Sequence, residues 1–482
     1  MSARDAATEA RDERRKLAAS SVQSQLAGAS RPGSKPNCKA SSDRGRRKRG
    51  DYRRAPVVSS FSQQGRRRRV WAPLNVNANV RSACEEPATA RARHAVRVEP
   101  RFVDQPDALE ALLAELADEP RYALDTEFHG ERSYWPKLAL IQIGWPGGVA
   151  LVDPLAVDPA PIGRLLSGPG LMVAHAADQD LTILERACGC APTRLFDTQV
   201  AAGFIGLGTP SLAALTEKLL SVRLTKGDRL TDWTRRPLRT EQRAYAAADV
   251  DHLLALHDEL LARLDVLGRR EWAEDECEER RQRIRTKPSA DTAWWRIKGA
   301  RQLRGSARGV AQEVGAWRER TAEALDVPAR YVLSDLALAG VVQRPPRSRE
   351  ELSSIRGLDG RMRDGTAKDL LDAVEAGLAL KPEQLKVPES DRIDRSLAPA
   401  VTVIGAWLAQ RASELDLDAA VLATRAELTQ LLQDRPSRLA TGWRVDLVGA
   451  PLQRLLKGEA ALILRDGGRR IELRDEPVQE DR

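Results

Sequence analysis

Three short segments of this chain carry four carboxylates and a tyrosine between residues 125 and 249, and they belong to different kinds of local structure. If these groups act together, the fold must bring a strand and at least two helical segments to one point. The first segment, Ala123-Leu124-Asp125-Thr126-Glu127-Phe128, continues the apolar run Tyr122-Ala123-Leu124 and precedes the strand-like Leu138 to Ile143. Residues two apart on a strand face the same side, so Asp125 and Glu127 project together. The second segment, His175 to Leu181, contains Asp178 and Asp180. The third, Tyr245 to Asp249, lies in a stretch from about Thr240 to Leu264 with apolar residues at Leu253, Leu256 and Leu260. On a helix Tyr245 and Asp249, four apart, share one face.

Each piece alone has a plainer reading. An Asp-x-Glu at a strand end is common in solvated loops, Asp180 suits the first turn of a helix, and Tyr245 suits a core position with its hydroxyl satisfied. Together they form an all-oxygen set. Hard divalent cations prefer carboxylate ligands, and a pair of them about 4 Å apart clamps the attacking and leaving oxygens of an in-line displacement at phosphorus. That chemistry requires several carboxylates and no histidine or cysteine ligand.

At these residues the chain resembles the ribonuclease D family, within the tyrosine-bearing subclass of DEDD exonucleases. Leu124 to Phe128 runs on to Tyr134, Pro136 and Leu140-Ile141-Gln142, similar to the first motif; His175-Ala176 leads into Asp180-Leu181, the second. Lys226-Gly227-Asp228, Asp232-Trp233 and Arg236-Pro237-Leu238, then Tyr245 through Asp249, match the third motif and its approach. The Asp-Leu pairing of the second motif favours Asp180 over Asp178. The resemblance spans roughly residues 97 to 390. It implies that Asp125, Glu127, Asp180 and Asp249 hold two divalent metal ions, Mg2+ or Mn2+, and that Tyr245 orients the attacking water. The implied activity is 3′-5′ exoribonuclease hydrolysis releasing nucleoside 5′-monophosphates, with RNA bearing a free 3′ end, such as a tRNA precursor, as substrate. A 3′-5′ DNA exonuclease of the same superfamily and a non-catalytic RNA-binding protein are the alternatives. Asp197 also fits the family pattern, but it precedes an apolar helical stretch and reads as the cap of that helix.

Charge is divided unevenly. Residues 1–100 hold 23 Lys and Arg against 9 Asp and Glu, a net of +14, so the rest carries −6 in a chain of +8. The basic runs Arg44 to Arg49 and Arg66 to Arg69 sit among Ser, Gly, Pro and Gln with little apolar periodicity. Such a segment buries too little surface to offset its ordering entropy, which predicts a disordered basic tail over 1–96. Three readings of it stand: an arm that attracts RNA phosphates, a solvated extension without a role, and an organelle transit segment. Five dispersed cysteines argue against a disulfide framework and for a reducing, cytoplasmic setting. Cys188-Gly189-Cys190 has too few companions for a zinc site and reads as a helix end. No apolar run reaches 18 residues, so no membrane span is expected, and a monomer is the favoured state.

The organisation expected from these patterns is an exonuclease domain over 97–268, a charged connector over 269–291, an HRDC domain over 292–382 and a second HRDC-like bundle over 392–475. The alternation of strand and helix signals in the first fits an α/β layer fold; the family resemblance implies a ribonuclease-H-like mixed sheet flanked by helices. Trp294-Trp295-Arg296-Ile297-Lys298-Gly299 resembles the start of an HRDC domain, and Val310, Val314, Trp317, Thr321 and Leu325 follow a helix face. Val314-Gly315-Ala316-Trp317 recurs 90 residues later as Ile404-Gly405-Ala406-Trp407, predicting two similar all-α bundles. The functional reading of these modules is contact with the RNA body; the structural one is a helical spacer. The basic and aromatic stretch Lys226 to Arg236 suits phosphates and bases, although a solvated approach to the helix looks the same.

Overall fold

The structure is a computed structural model that describes residues 99–224, 231–283, 289–358, 364–388 and 394–475. The expected basic tail, 1–96, and the Lys226-Gly227-Asp228-Arg229 stretch lie outside the described residues.

The first part is built on one mixed sheet. β1 (Arg101–Val103) leads into α1 (Pro106–Leu116), followed by β2 (Arg121–His129), β3 (Lys137–Trp145) and β4 (Gly148–Val152). β5 (Leu171–Ala174) is followed by α2 (Asp178–Cys188), and β6 (Leu195–Asp197) by α3 (Thr198–Gly203). The strand order is β1-β4-β3-β2-β5-β6, with β2, β3 and β4 antiparallel and the outer pairs parallel. Strand alternation divides the core in two. Tyr122 and Leu124 of β2 face a layer made by α1 and α2, with Leu109, Leu112, Leu181 and Leu184 fully or almost fully buried against them. Ala123 faces the other way, under α4 (Thr240–Asp251), α5 (Leu253–Leu267) and α6 (Arg270–Arg283). Asp125 and Glu127 continue the face of Ala123, which places them under α4.

Two expectations change here. The stretch from Thr240 to Leu264 is two helices that part at His252. The connector expected over 269–291 instead supplies α6, whose Ala273 and Cys277 are fully buried in the same core as α5. Its dense charge is spent on fixed partners: Glu276 joins Arg438 and Arg444, and Arg280 joins Asp178 and Asp197. One glycine is decisive. A Cβ on Gly144 of β3 would lie 3.1 Å from the Val250 carbonyl, so glycine is what lets α4 settle close to the sheet.

Beyond α6 come α7 (Ser306–Leu325), α8 (Asp335–Gln343) and α9 (Asp364–Ala379). They enclose their own core, with Trp294, Val310, Val314 and Leu370 at its centre. Val310, Val314 and Trp317 are buried as the helix spacing predicts, whereas Leu325 at the helix end is exposed. Gly315 packs on Trp294.

The repeat at an offset of 90 is visible in the elements themselves. Helices Ala329–Val332 and Asp335–Gln343 recur as Ala419–Leu422 and Arg425–Leu432, and Asp326 and Asp416, both at positive φ, occupy equivalent turns. The second module begins with α10 (Ala398–Glu414) but is not all-α: it ends in the hairpin β7 (Ala460–Arg465) and β8 (Arg470–Asp475). Nor does it have a separate core. Ile404, Trp407 and Leu428 belong to the same apolar cluster as Leu256 and Ala273, and Trp443 stacks on Trp272 with ring centroids 5.0 Å apart. Arg269, buried, donates to the carbonyls of Phe204 and Leu415 and so ties the two parts at the backbone. Among the described residues no helix is long and apolar enough to cross a membrane.

Candidate active site

The sheet opens a notch where the carboxylates meet. β5 pairs with β2 only as far as Ala123 opposite Val173, so the end of β2 that bears Asp125 and Glu127 extends past its neighbour. The chain leaving β5 turns through Ala176, which has a positive φ, and enters α2 with Asp178 and Asp180 in its first turn. On the other face α4 brings Tyr245 and Asp249, one turn apart, over the strand end. Carboxylate oxygens of Asp125, Glu127 and Asp249 lie within 4.8 Å of one another. Asp180 stands outside this trio but close enough to raise the pKa of Asp125, and it is buried with its Oδ1 accepting from the Thr126 hydroxyl. Asp178 points elsewhere, exposed and paired with Arg280 at 3.2 Å.

Electrostatics here are those of crowded anions. Desolvation first, then Asp180, Asp249 and Glu127, push the Asp125 carboxyl well above the ordinary range. Burial pushes Asp180 up to about 6 against the hydrogen bond from Thr126. A cluster of four acids in one notch is a charge deficit that a divalent cation with a preference for oxygen would relieve, and the donor set fits such an ion. The Tyr245 phenol is pushed above its ordinary pKa by desolvation and by Asp249, Glu127 and Asp125, and it hydrogen-bonds to the Asp249 carboxylate. It therefore stays protonated at neutral pH and acts as a hydrogen-bonding group.

Supporting residues emerge that the sequence reading had not assembled. Asp197 is fully buried and caps α3 through the backbone N–H groups of Gln199 and Val200, as expected. It also accepts from Ala176 N and Ala177 N, both at 3.0 Å, so one carboxylate braces the turn that delivers Asp180. Arg280 of α6 completes it at 3.2 Å. The only sequence signal was an aspartate before a helix, which the cap role already explained. Gln142, directly opposite Asp125 on the same sheet face, is buried with no partner for its amide among the described residues. In the basic-aromatic stretch, Trp233 is a buried neighbour of Tyr245 (centroids 6.0 Å apart) and Arg236 is bound to Asp153 at 2.6 Å. Both serve the core beside the site. Cys188 ends α2, and Gly189 caps it at φ 77°, the plain helix end expected.

Comparison with known proteins agrees with this geometry. Residues 100–265 match the 3′-5′ exonuclease family and residues 307–374 the HRDC domain; the second helical module has no such match among these. The chain is 34% identical over 393 residues to ribonuclease D of Acidiphilium cryptum, covering 79% of this chain and 98% of that protein. It is 35% identical over 389 residues to ribonuclease D of Gluconacetobacter diazotrophicus, covering 78% and 96%. The crystal structure of Escherichia coli RNase D, an exoribonuclease involved in structured RNA processing, superposes with a TM-score of 0.68 at 31% identity over 75% of this chain and 99% of that one. The converging carboxylates, the sheet that carries them and the length of these matches together show that the chain belongs to the ribonuclease D family of 3′-5′ exoribonucleases.

Proposed function

We propose that the protein removes nucleoside 5′-monophosphates one at a time from RNA 3′ ends, with two divalent cations, Mg2+ or Mn2+, held by Asp125, Glu127, Asp180 and Asp249. The observation that carries this reading is the meeting of strand β2, the first turn of α2 and α4 at one notch lined with carboxylates, with no histidine or cysteine in that cluster among the described residues. Bound there, a metal pair supplies Lewis-acid activation of water and neutralises charge on the departing oxygen. The protein's own part is placement. Thr126 fixes Asp180, and Asp249 fixes the Tyr245 hydroxyl, which stays neutral and aligns the water by hydrogen bonding. The water oxygen gives up a proton to solvent and forms a bond to the terminal phosphorus, the bond from phosphorus to the 3′ oxygen breaks, and that oxygen takes a proton from solvent to leave as a hydroxyl. The substrate class we assign is structured RNA with a free 3′ end, such as tRNA precursors, processed by a cytoplasmic monomer.

A digest of 3′-end-labelled RNA tests this. Wild type with Mg2+ or Mn2+ yields labelled mononucleotide, and chelator or Asp249→Ala abolishes it. Internal fragments, or equal activity of the Asp249→Ala protein, would overturn the assignment.

A further inference from the structure

Gln142 lies in the middle of β3, fully buried, on the sheet face that carries the carboxylates. It stands opposite Asp125 of β2 on one side and Leu151 of β4 on the other. Two residues away along β3, on the same face, are Leu140 and Gly144. α4 covers this face: its Ala246 and Val250 share an apolar core with Leu140 and Leu151, and a Cβ on Gly144 would lie 3.3 Å from that of Val250. Of the four strand neighbours of Gln142 on this face, only Asp125 is polar. Neither Nε2 nor Oε1 of Gln142 has a hydrogen-bond partner among the described residues.

An amide buried in this way costs stability that an apolar side chain of similar size would recover, so its presence calls for a reason. We propose that Gln142 is a positioning residue for the cation site: its amide donates to the Asp125 carboxylate when that group is ionised and holds a divalent cation, and so fixes how the carboxylate is presented. The proposal rests on the metal reading of the notch. Reach supports it, since side chains directly opposite on a sheet face have Cβ atoms about 4.5–5.5 Å apart, a gap that a glutamine and an aspartate bridge by rotation about side-chain bonds. Charge supports it too. Asp125 is crowded by Asp180, Asp249 and Glu127, and an anion among anions gains from a donor aimed at it. Confinement is the third support. β2 and β4 flank Gln142 and α4 lies over it, so the amide cannot turn to solvent and Asp125 is the acceptor its own sheet face offers.

The test measures Mn2+ binding to the full chain without RNA, by electron paramagnetic resonance titration, for wild type, Gln142→Met and Gln142→Asn, with Asp249→Asn as control. In Gln142→Met the dissociation constant for Mn2+ rises roughly ten- to a hundredfold, the loss typical when a group that orients a metal ligand is removed. Gln142→Asn keeps the amide but withdraws it by one methylene, and falls between the two. In chelator the Tm of Gln142→Met equals or exceeds that of wild type, because no unpaired amide is buried. The Mn2+ concentration that half-saturates RNA hydrolysis rises by the same factor as the dissociation constant, while KM for RNA stays within about twofold. Mn2+ affinity in Gln142→Met equal to that of wild type, whatever its Tm, overturns the proposal and leaves the amide a packing group. If Gln142→Met does not fold, Gln142→Asn decides: wild-type affinity there overturns the proposal, and weakened affinity with a wild-type Tm in chelator supports it. A wild type that binds no Mn2+, or an Asp249→Asn protein that binds it as tightly, would instead overturn the metal reading of the notch.

Discussion

The Thr126 hydroxyl donates a hydrogen bond to Oδ1 of Asp180, joining the strand that bears Asp125 and Glu127 to the helix that follows β5. The two residues are 54 positions apart, and this bond sets where the fourth carboxylate stands relative to the other three. It also lowers the pKa of Asp180, which burial pushes up. Thr126→Val keeps the shape of the side chain and removes the donor. We expect kcat to fall by roughly ten- to a hundredfold, about the 1.5 to 3 kcal/mol of one hydrogen bond to a charged group. The acidic limb of the pH–rate profile moves to higher pH, because a carboxylate that loses a donor is harder to ionise. An unchanged limb would show that Asp180 does not titrate in the working range.

On the proposed reading, metal and protons compete for the same site. A carboxyl whose folded pKa is raised binds its proton more tightly in the native state than in the unfolded chain. Its stabilising contribution is full below the ordinary aspartate range and is lost as pH rises through about 6. In chelator, wild-type Tm should therefore fall over that window, and Asp180→Asn should flatten the fall. Adding Mg2+ or Mn2+ near neutral pH should raise Tm in wild type and do so far less in Asp125→Asn, read by thermal unfolding.

Asp197→Ala removes one buried carboxylate that serves four backbone N–H groups and Arg280. The loss should be about 2 to 6 kcal/mol in denaturant unfolding, because the buried N–H groups of Ala177 and Val200 lose their acceptor at about 1 to 3 kcal/mol each, while Arg280 keeps Asp178. Asp197→Asn, which keeps an acceptor for the cap and for one of the turn bonds, should lose less stability. It should still depress kcat, because the turn at Ala176 that delivers Asp180 is loosened.

Glu276 lies between Arg438 and Arg444, at 2.5 Å from each. Burial opposes its charge, but Arg444 and Arg438 outweigh burial and hold its carboxyl below the ordinary glutamate range. Its contribution is present at neutral pH and lost only as pH falls through that lowered value. Glu276→Ala leaves the almost fully buried Arg444 without its carboxylate and should lower stability by about 3 kcal/mol. Because this pair joins α6 to the last helical module, one cooperative unfolding transition for both parts is expected; two separable transitions would contradict the shared core.

Much of the catalytic part was legible in the residues. Strand period two places Asp125 and Glu127 together, helical spacing pairs Tyr245 with Asp249, and the interleaved motifs imply the sheet that carries them. These are local regularities, and a single chain displays them. The 90-residue repeat was equally visible, since similar helices in similar order leave similar apolar patterns. What it did not reveal is where each copy packs: a Cβ on Gly315 would press on Trp294 at 3.1 Å, whereas one on Gly405 would meet nothing within 4 Å among the described residues. Likewise the charged run from Glu271 to Arg283 has the composition of a solvated connector, and only its distant partners Asp197, Arg438 and Arg444 make it part of the core. Asp197 shows the same limit. Its cap bonds are local, but its hold on Ala176 and Ala177 spans about twenty residues, and its bond to Arg280 spans 83. The sequence by itself thus determined the chemistry of the site and the elements that bear it, because both depend on neighbours along the chain. The tertiary structure alone decided how the carboxylates are braced and which module joins which core, because those depend on groups that meet only when the chain has folded.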